Sequence, residues 1–453
     1  MKEKPASRVR WFLIAWLFVL SAVAFLDRVN LSIAGGSLSA EYHLSNVQFG
    51  LLSTALLIGY TLFQTPAGWL ADRFGPRRVL TGGVLWWGVF TALTAAIPVS
   101  IGARLAALIG VRFLLGAGEA IMYPASNQFV SRWIPTQERG AANGLIFAGV
   151  GAGSGLSPFL VVYTMAHHGW RFSFWICALI GCAAGIVWYL AARDTPEEHP
   201  RVSQIELAKI QSGLTLGSPT DRTAGARSPW RKILTSRDIW LVTGSYFCYG
   251  YVAWIFFAWF YRYLSEVRGL NLKVSAFYGT LPFLAMAISC PLGGVLSDML
   301  TRSAGRRVGR CGVAAFAMAL AAVFLAFGSK VDNARLASVV LAGGAGALYL
   351  SQSSFWSVSA DMGGSFSGSV SGFMNMGAQA GGALTASLTP WIAAHYGWTA
   401  SFLVAATLCG IGAVAWLLVD PESRQVATSL AAPASNTARK VEITCKSARQ
   451  SKI

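Results

Sequence analysis

Long apolar runs dominate the chain and follow one another from near its beginning almost to its end. Each run is about 20 residues long, the length that an α-helix needs to cross the hydrocarbon core of a bilayer. Lipid offers no partners to open backbone groups, so helices are the expected spanning form, and the runs are too long for barrel strands. The pattern predicts twelve transmembrane helices, at residues 11–34, 47–70, 79–97, 102–124, 140–165, 172–192, 239–264, 274–298, 310–328, 335–358, 366–393 and 400–419.

Three polar segments flank or interrupt the apolar runs. The central one, residues 193–238, separates the first six spans from the last six and is too short and polar to form a core of its own. We therefore predict an all-α membrane protein with two six-helix bundles, at residues 11–192 and 239–419. A short N-terminal segment, 1–10, and a basic tail, 420–453, complete the chain, and we expect the tail to be disordered.

The two predicted bundles have related sequences. Residues 166–174 match residues 394–402 at six of nine positions, with an offset of 228. Chance similarity among small apolar residues is a poor explanation for nearly the same spacing at several distant places. Duplicated bundles place a substrate cavity between the repeats, near the bilayer midplane. The other matches, offset by 226, are the pairs Gly68 and Gly294, Asp72 and Asp298, and Asp194 and Asp420.

Composition and charge agree with a membrane protein. Hydrophobic residues make up 54% of the 453 residues and charged residues 12%, against about a quarter charged in typical globular domains. This composition excludes a soluble enzyme, a disordered chain and a secreted disulfide scaffold. Of the lysines and arginines, 27 fall on the side of both termini and six on the other. This asymmetry predicts cytoplasmic termini and contact with anionic lipid rather than nucleic acid.

No sequence pattern indicates a cofactor. The seven cysteines lie in or beside spans or in the tail, without the spacing of metal ligands. Walker sequences and nucleophile constellations are also missing. We expect a monomer with no metal, no cofactor and no catalytic residues.

Besides Arg104, Asp298, Arg310 and Arg335 at span ends, five charged residues lie within the predicted spans. Charges there are costly and are functional candidates by default. Arg262 is near a span end and can reach the interface. Arg28 can offer a planar fork to a substrate carboxylate. Asp27 and Glu119 are candidate proton carriers, because burial and a nearby arginine act on a carboxyl group in opposite directions.

Structural roles remain alternatives for these residues. Asp27 and Arg28 could form ion pairs between helices. Glu119 could be permanently protonated and hold a hydrogen bond, while its glycine and alanine neighbours let another helix approach. Arg112, two turns before Glu119 on the same helix, is too far away for direct contact and is expected to reach another helix.

The link between spans 2 and 3 carries a specific motif. It reads Gly68, three residues, Asp72-Arg73, one residue, glycine, one residue and two arginines, of which the first is Arg77. This pattern resembles the cytoplasmic loop signature of the major facilitator superfamily. Its reduced copy ends at Asp298. The motif predicts a charged latch, in which Asp72 accepts from a neighbouring helix N-terminus or an arginine and releases it when the halves rock.

A second set of motifs narrows the resemblance. Residues 27–32 resemble the first-span signature of the anion:cation symporter branch, and so do residues 118–120, 123–125 and 133–135. The pattern is that of bacterial sugar-acid carriers of the galactonate and glucarate type, from Trp11 to about Asp420. It implies alternating access and proton-driven uptake of a small organic anion across a bacterial inner membrane.

The resemblance also implies roles for individual residues. Asp27 and Glu119 match the protonation pair of these carriers, and Arg28 matches their carboxylate binder. Gln379 lies one turn beyond Asn375 on the same helix face and is added as a substrate contact. Ordinary packing is the alternative for Tyr60 and Trp356. The implied substrate contacts are Arg28, Tyr60, Ser353, Trp356 and Asn375, and the predicted gating or structural residues are Asn30, Gly68, Asp72, Arg73, Arg77, Arg112 and Asp298.

Two departures leave the substrate open. Span 5 has no amide in residues 148–158, where sugar-acid carriers have a glutamine, and Phe355 occupies a place where a small hydroxyl residue is common. Span 7 is rich in tyrosine, tryptophan and phenylalanine, which either face lipid and the membrane interface or line a cavity suited to an aromatic acid such as phthalate. The alternatives to a sugar acid are therefore an aromatic or dicarboxylic acid. An uncoupled facilitator or exchanger is the alternative mechanism, whereas a membrane enzyme or sensor requires a catalytic constellation or a soluble domain.

Overall fold

The computed structural model describes residues 6–214 and 230–422, and in these residues it contains helices and turns but no strand. Most of the predicted tail, residues 423–453, and residues 215–229 of the central segment lie outside the described residues. The helices of the first half are α1 Val9–Tyr42, α2 Asn46–Phe74, α3 Pro76–Ala96, α4 Arg104–Glu119, α5 Met122–Trp133, α6 Arg139–His168 and α7 Trp170–Ala191.

Local sequence signals set several of these helix ends. Ser45 begins α2 with a capping box, in which its side chain accepts from the backbone of Gln48 and the Gln48 side chain accepts in return. Gly75, with φ of 88°, ends α2 in a conformation that favours glycine. Pro76 then starts α3 at a position where its missing N–H costs nothing.

The second half has the same order of spans, after two short helices in the central segment. Gly397, with φ of 83°, divides the last long helix into two spans, and Gly305 divides the helix before α13 in a similar way. The helices are α8 Gln204–Gly213, α9 Trp230–Thr235, α10 Arg237–Ala258, α11 Phe260–Arg262, α12 Leu272–Arg306, α13 Val313–Gly328, α14 Ala334–Leu350, α15 Gln352–Gly363 and α16 Ser367–Leu418.

Nine helical stretches in the described residues are long and apolar enough to cross a membrane. Val274–Gly328 contains two spans, separated at Gly305, and Ala334–Leu418 contains three, separated near Gly364 and at Gly397. Counting these separately gives the twelve spans that the apolar runs predict, so the prediction of a twelve-helix membrane protein is confirmed.

Small residues let the two bundles approach closely. A Cβ atom on Gly68 of α2 would lie 2.0 Å from the carbonyl oxygen of Gly368 in α16. In the other half, a Cβ atom on Gly294 of α12 would lie 2.2 Å from the carbonyl oxygen of Gly140 in α6. Backbones in membranes pack this closely only where glycine removes the side chain. The duplicated glycines therefore mark two equivalent crossings between the bundles.

An aspartate caps a helix of the opposite bundle at each crossing. The carboxylate of Asp72 accepts from the backbone N–H groups of Gly368 and Ser369 at 2.9 and 2.8 Å. Asp298 accepts from Gly140 and Ala141 at 2.9 and 2.7 Å. Each carboxylate thus lies on the positive end of a helix dipole. We call Asp72 and Asp298, together with the four residues whose N–H groups donate to them, the latch. The latch lies at the end of the molecule that holds residues 6–10 and 420–422.

The two sides of the latch differ in charge. Arg310 is fully buried, lies 2.8 Å from Asp298, and also donates to the carbonyl oxygen of Thr136. Next to it, Arg139 at the start of α6 forms a buried ion pair with Asp361 at the end of α15. The equivalent position in α16 is Ser367, whose hydroxyl bonds to Gln128 and Ser131 instead. Two buried ion pairs therefore hold one crossing, whereas at the other Ser367 makes neutral hydrogen bonds and Arg132 donates to the backbone carbonyl oxygen of Asp72 at 3.4 Å.

The central segment contains an ordered helix that sequence analysis did not predict. Glu206 of α8 is buried and accepts from the backbone N–H groups of Val9 and Arg10, the first residues of α1. The Arg10 side chain completes the contact with ion pairs of 3.0 Å to Glu206 and 3.1 Å to Glu138. Glu206 therefore supplies the cap that the first helix lacks in its own sequence.

Replacing Glu206 with alanine tests this cap. We expect a loss of ~2 kcal/mol in stability, because the change removes a charged acceptor from two buried N–H groups and an arginine. A lower Tm of the detergent-solubilised protein would report the loss. Lys209→Ala is the matched control, since Lys209 is 56% exposed and its 2.7 Å pair with Glu138 is a surface contact worth about 0–1 kcal/mol. Equal Tm values for the two variants would contradict the capping role.

Candidate functional site

A cavity of about 320 Å³ lies between the two bundles. Helices α1, α2, α5 and α6 line it from one side, and α10, α12, α14, α15 and α16 line it from the other. The position between two repeats is where duplicated transporters place their substrate. Hydrogen bonds between the bundles, such as those of Asn127 with Ser359 and of Asp72 with Gly368, lie nearer the latch. The cavity is therefore closed toward the latch end.

Arg28 brings a positive charge to the cavity wall. Its Nε donates to Glu119 at 2.9 Å, and the guanidinium lies 4.4 Å from the ring centroid of Tyr60 and 4.8 Å from that of Phe25. The side chain is 15% exposed, whereas that of Glu119 is 1% exposed. A guanidinium has five N–H donors, and the bond to Glu119 uses one of them, so Arg28 can still bind a carboxylate bidentately.

Three more charged residues form a buried cluster behind Arg28. Asp27 and Arg112 do not line the cavity, and each is 2% exposed. Within the described residues, both carboxylate oxygens of Asp27, one oxygen of Glu119 and two nitrogens of Arg112 make no hydrogen bond. The four side chains interact electrostatically and balance to zero charge when all are ionised. Protonation of either acid leaves this cluster with a net positive charge, which an anion in the cavity can balance.

Three of the predicted substrate contacts share the cavity wall with Arg28. Tyr60 comes from α2, and Asn375 and Gln379 come from α16. Asn375 Nδ2 donates to the side-chain oxygen of Gln64 at 2.9 Å, which ties α16 to α2 beside Tyr60. Gln379 is half-buried and faces the cavity one turn away. The structure therefore brings Arg28, Tyr60, Asn375 and Gln379 together.

Ser353 and Trp356 lie behind the cavity wall. Both are buried, and neither lines the cavity. The Trp356 ring packs 5.0 Å from that of Phe147, which does line the cavity, and its Nε1 donates to the Tyr246 hydroxyl at 2.9 Å. In this conformation Trp356 supports the wall, and a direct substrate contact by either residue stays a prediction.

The sequence analysis missed a polar pair on the opposite wall. Gln352 and Tyr246 both line the cavity, and Gln352 Nε2 donates to the Tyr246 hydroxyl at 2.9 Å. Gln352 directly precedes the predicted Ser353, at a break between α14 and α15. The one available signal was an amide inside an apolar span, which is expensive unless it is bonded or faces water.

Aromatic residues of span 7 contribute to the wall, as the departure from sugar-acid carriers suggested. Tyr246, Tyr249, Trp254 and Phe257 of α10 all line the cavity. From span 5, Ser154 lines it with a buried hydroxyl that makes no hydrogen bond within the described residues. Phe355 is fully buried against Tyr246 and Trp416 and lies outside the lining.

The predicted gating residues divide into two groups. Gly68, Asp72 and Asp298 lie at the latch described above. Arg77 binds instead to the end of α7, where its Nε donates to the carbonyl oxygen of Tyr189 at 2.9 Å, and Arg73 is exposed beside Trp69 and Phe74. Asn30 is buried and accepts from Ser173 at 2.7 Å, so it joins α1 to α7 within one bundle.

Metal ligation has no obvious place in this site. The described part of the chain contains no group of three or more histidine, cysteine, aspartate or glutamate residues that could hold a metal ion. The chemistry that the cavity offers is therefore one arginine, hydroxyl and amide groups, and many aromatic rings.

Known proteins place the chain in a family. The family model described as Major Facilitator Superfamily matches residues 17–386 and 306–449. A probable sulfoacetate transporter, SauU of Cupriavidus necator, is 31% identical over 420 residues, which cover 92% of this chain and 95% of that protein. A probable galactarate/D-glucarate transporter, GudP of Bacillus subtilis, is 31% identical over 300 residues, which cover 65% of this chain and 66% of that protein.

A solved structure agrees in fold. The proton:xylose symporter XylE, bound to 6-bromo-6-deoxy-D-glucose, has a TM-score of 0.69 at 16% sequence identity, covering 93% of this chain and 98% of that one. The named relatives are transporters, in agreement with the prediction that the chain is not an enzyme. With a family model that matches most of its length and two pseudo-symmetric six-helix bundles around a central cavity, the chain belongs to the Major Facilitator Superfamily.

Proposed function

We propose that this protein is a proton-coupled symporter that imports a small organic anion by alternating access. The observation that carries the proposal is the Arg28–Glu119 pair, which joins the cationic group of the cavity wall to a buried acid. The names of the relatives, transporters of sulfoacetate and of galactarate or D-glucarate, support an anionic substrate.

The pair couples the two ligands through competition for one guanidinium. When Glu119 is ionised, it neutralises Arg28 and makes a second carboxylate on the same arginine unfavourable. When Glu119 is protonated, the buried charge of Arg28 has lost its partner, and a substrate carboxylate restores the balance. Proton and anion therefore stabilise each other in the cavity. Asp27, next to Arg28 and within electrostatic range of Arg112, is the proposed second proton carrier.

Membrane energetics favour two protons. A monoanion that enters alone moves against a negative-inside potential, at about 2.3 kcal/mol per charge per 100 mV. One accompanying proton removes this cost, and a second one makes the potential drive uptake. Asp27 and Glu119, two buried acids near Arg28, are the proposed carriers of these two protons.

The proposed location is the inner membrane of a bacterial cell. The distribution of lysine and arginine supports an orientation in which the latch end faces the cytoplasm. In that orientation the cavity, closed toward the latch, is accessible from outside. We propose that uptake proceeds when the bundle of residues 11–192 and that of residues 239–419 rock, the latch opens, and Asp27 and Glu119 release protons inward. The protein acts as a monomer surrounded by lipid.

A sugar acid such as a hexonate or hexarate is the substrate that the motif resemblance implies. The GudP relative supports this class. The aromatic wall of span 7 and the missing amide in span 5 favour an aromatic acid instead. Both classes share a carboxylate for Arg28.

Uptake into proteoliposomes tests the function. Purified full-length protein should accumulate an organic anion from a panel of sugar acids, aromatic acids and dicarboxylates when the outside is acidic, and a protonophore should abolish the accumulation. Protein-free liposomes are the control. Uptake that is equal with and without a pH gradient would instead establish the facilitator or exchanger, which the full burial of Asp27 away from the cavity favours.

Arg28→Lys tests the carboxylate contact. Lysine keeps the positive charge but loses the fork, so we expect KM for the transported anion to rise about tenfold, the equivalent of one lost charged hydrogen bond. Arg262→Lys is the matched control, because Arg262 lies at a span end and pairs with Glu266 at 2.8 Å while 58% exposed. An unchanged KM in Arg28→Lys would remove Arg28 from the binding site.

A further inference from the structure

The charge of the cavity wall limits the charge of its ligand. Among the described residues that line the cavity, Arg28 is the one with an ionisable cationic or acidic side chain other than tyrosine. Arg112 is buried behind the wall and does not line it. A dianion would therefore bring a second negative group into an apolar site without a partner, which is strongly unfavourable. The wall suits a ligand with one anionic group.

Aromatic rings form a large part of the remaining wall. Ten of the 22 lining residues carry an aromatic ring. Phe25, next to the Arg28 guanidinium, faces Phe257 across the gap between the bundles at 5.9 Å between ring centroids. Phe257 continues to Phe283 at 4.9 Å and to Trp254 at 5.7 Å. A ring that enters beside Arg28 would meet aromatic faces and edges contributed by both bundles.

Several polar groups of the wall already have partners within the protein. Gln352 exchanges hydrogen bonds with the Tyr246 hydroxyl, as donor at 2.9 Å and as acceptor at 3.3 Å. Asn375 donates to Gln64. A hexonate or hexarate brings four or more hydroxyl groups, and each hydroxyl that leaves water without a partner costs affinity. The cavity of about 320 Å³ is also at the small end of the range for ligand pockets.

We infer that the transported anion is an aromatic monocarboxylate, whose carboxylate binds Arg28 and whose ring packs against the aromatic surface formed by Phe25, Phe257, Phe283 and Trp254. The inference rests on the proposed function and narrows its substrate class. Ser154 and Tyr349 have buried hydroxyls that make no hydrogen bond within the described residues, and with Gln379 they can bind a ring substituent such as a hydroxyl.

Competitive uptake distinguishes the substrate classes. Proteoliposomes with the full-length protein and an acidic exterior are given labelled 4-hydroxybenzoate, D-galactonate, D-glucarate or phthalate, and uptake by protein-free liposomes is subtracted. We expect 4-hydroxybenzoate to accumulate, a tenfold excess of either sugar acid to leave its uptake unchanged, and the dianion phthalate to compete at least tenfold more weakly than unlabelled 4-hydroxybenzoate. Proton-driven accumulation of a sugar acid without 4-hydroxybenzoate uptake overturns the aromatic class and leaves the proposed function standing. If no anion accumulates, both are overturned.

A variant of the ring surface provides the second test. Phe257→Leu keeps an apolar side chain but removes the ring, so the apparent affinity for 4-hydroxybenzoate should fall about two- to tenfold. Inhibition by butyrate, an aliphatic monocarboxylate, should stay the same. Phe316→Leu is the matched control, since Phe316 is 64% exposed on the outside of α13. An equal loss for both acids in Phe257→Leu, or no loss for either, contradicts the ring contact.

Discussion

Glu119→Gln is expected to abolish proton-driven accumulation of the transported anion and to leave counterflow of that anion intact. Glutamine has nearly the shape of glutamate but cannot ionise, so a proton can no longer be exchanged at this position. Arg28 then has no anionic partner at 2.9 Å, and its charge is available to substrate at every pH. Binding and exchange therefore persist, whereas coupling to the gradient is lost.

Uptake and counterflow in the same proteoliposome preparation measure the two properties separately. Glu41→Gln is the matched control, because Glu41 also pairs with an arginine, Arg171 at 2.8 Å, but lies 39% exposed at the far end of α1. It should accumulate anion normally. Full accumulation by Glu119→Gln would remove Glu119 from the coupling mechanism, and loss of counterflow as well would assign it a structural role.

Asp298→Asn is expected to open the latch between α12 and α6. The change leaves Arg310, which is fully buried, without its 2.8 Å ion-pair partner, and breaking a buried pair in this way typically costs ~3–5 kcal/mol. Asparagine can still accept one of the two backbone bonds from Gly140 and Ala141. The closed arrangement should therefore lose much of its advantage over the arrangement that opens at the latch end.

Hydrogen exchange at individual backbone amides measures this effect. In Asp298→Asn, the amides at the start of α6 should exchange faster than in the unmodified protein. Asp72→Asn is the matched comparison, because Asp72 accepts the same two kinds of backbone bond from Gly368 and Ser369. Losing such a cap costs about 0.5–2 kcal/mol, so its effect should be smaller. An effect at α16 that equals or exceeds the one at α6 would contradict the role assigned to Arg310.

The features that depend on repetition were predictable from sequence. Twelve apolar runs and one repeated spacing are enough for two pseudo-symmetric bundles, because lipid permits few other structures for such segments. The pairing of Gly68 and Asp72 with Gly294 and Asp298 indicated both crossings. The motif did not reveal which amides the aspartates cap, since those come from residues about 160 to 300 positions away.

It was harder to predict which side chains of each helix face the cavity. Successive residues on a helix point about 100° apart, so a small break changes which side chains face inward. The break between Leu350 and Gln352 falls at Ser351, and no proline or glycine at this position marks it in the sequence. It turns Gln352 toward the cavity and leaves Ser353 and Trp356 behind the wall. Arg28, Tyr60 and Asn375 lie away from such breaks and line the cavity, and their binding roles stay predictions.

Helix α8 shows a further limit. Its sequence is polar and short, and nothing local distinguishes Glu206 from a solvated surface acid. Its burial results from a partner about 200 residues away, the start of α1. Helix ends are also underestimated by apolar runs, because α1 continues to Tyr42, well beyond the predicted end at residue 34. There Glu41 and Arg171 hold it at the water interface.

The reciprocal capping by Asp72 and Asp298 has the geometry of an isologous contact, in which each of two copies gives the other the same residue and receives the same backbone in return. A single six-helix ancestor that paired with itself would already have possessed both crossings. Fusion into one chain removed the requirement that they stay alike, and Arg310 and Arg139 occupy one side where Ser367 occupies the other. A fused chain can therefore give the two crossings of one latch different strengths, which a symmetric pair of subunits cannot achieve.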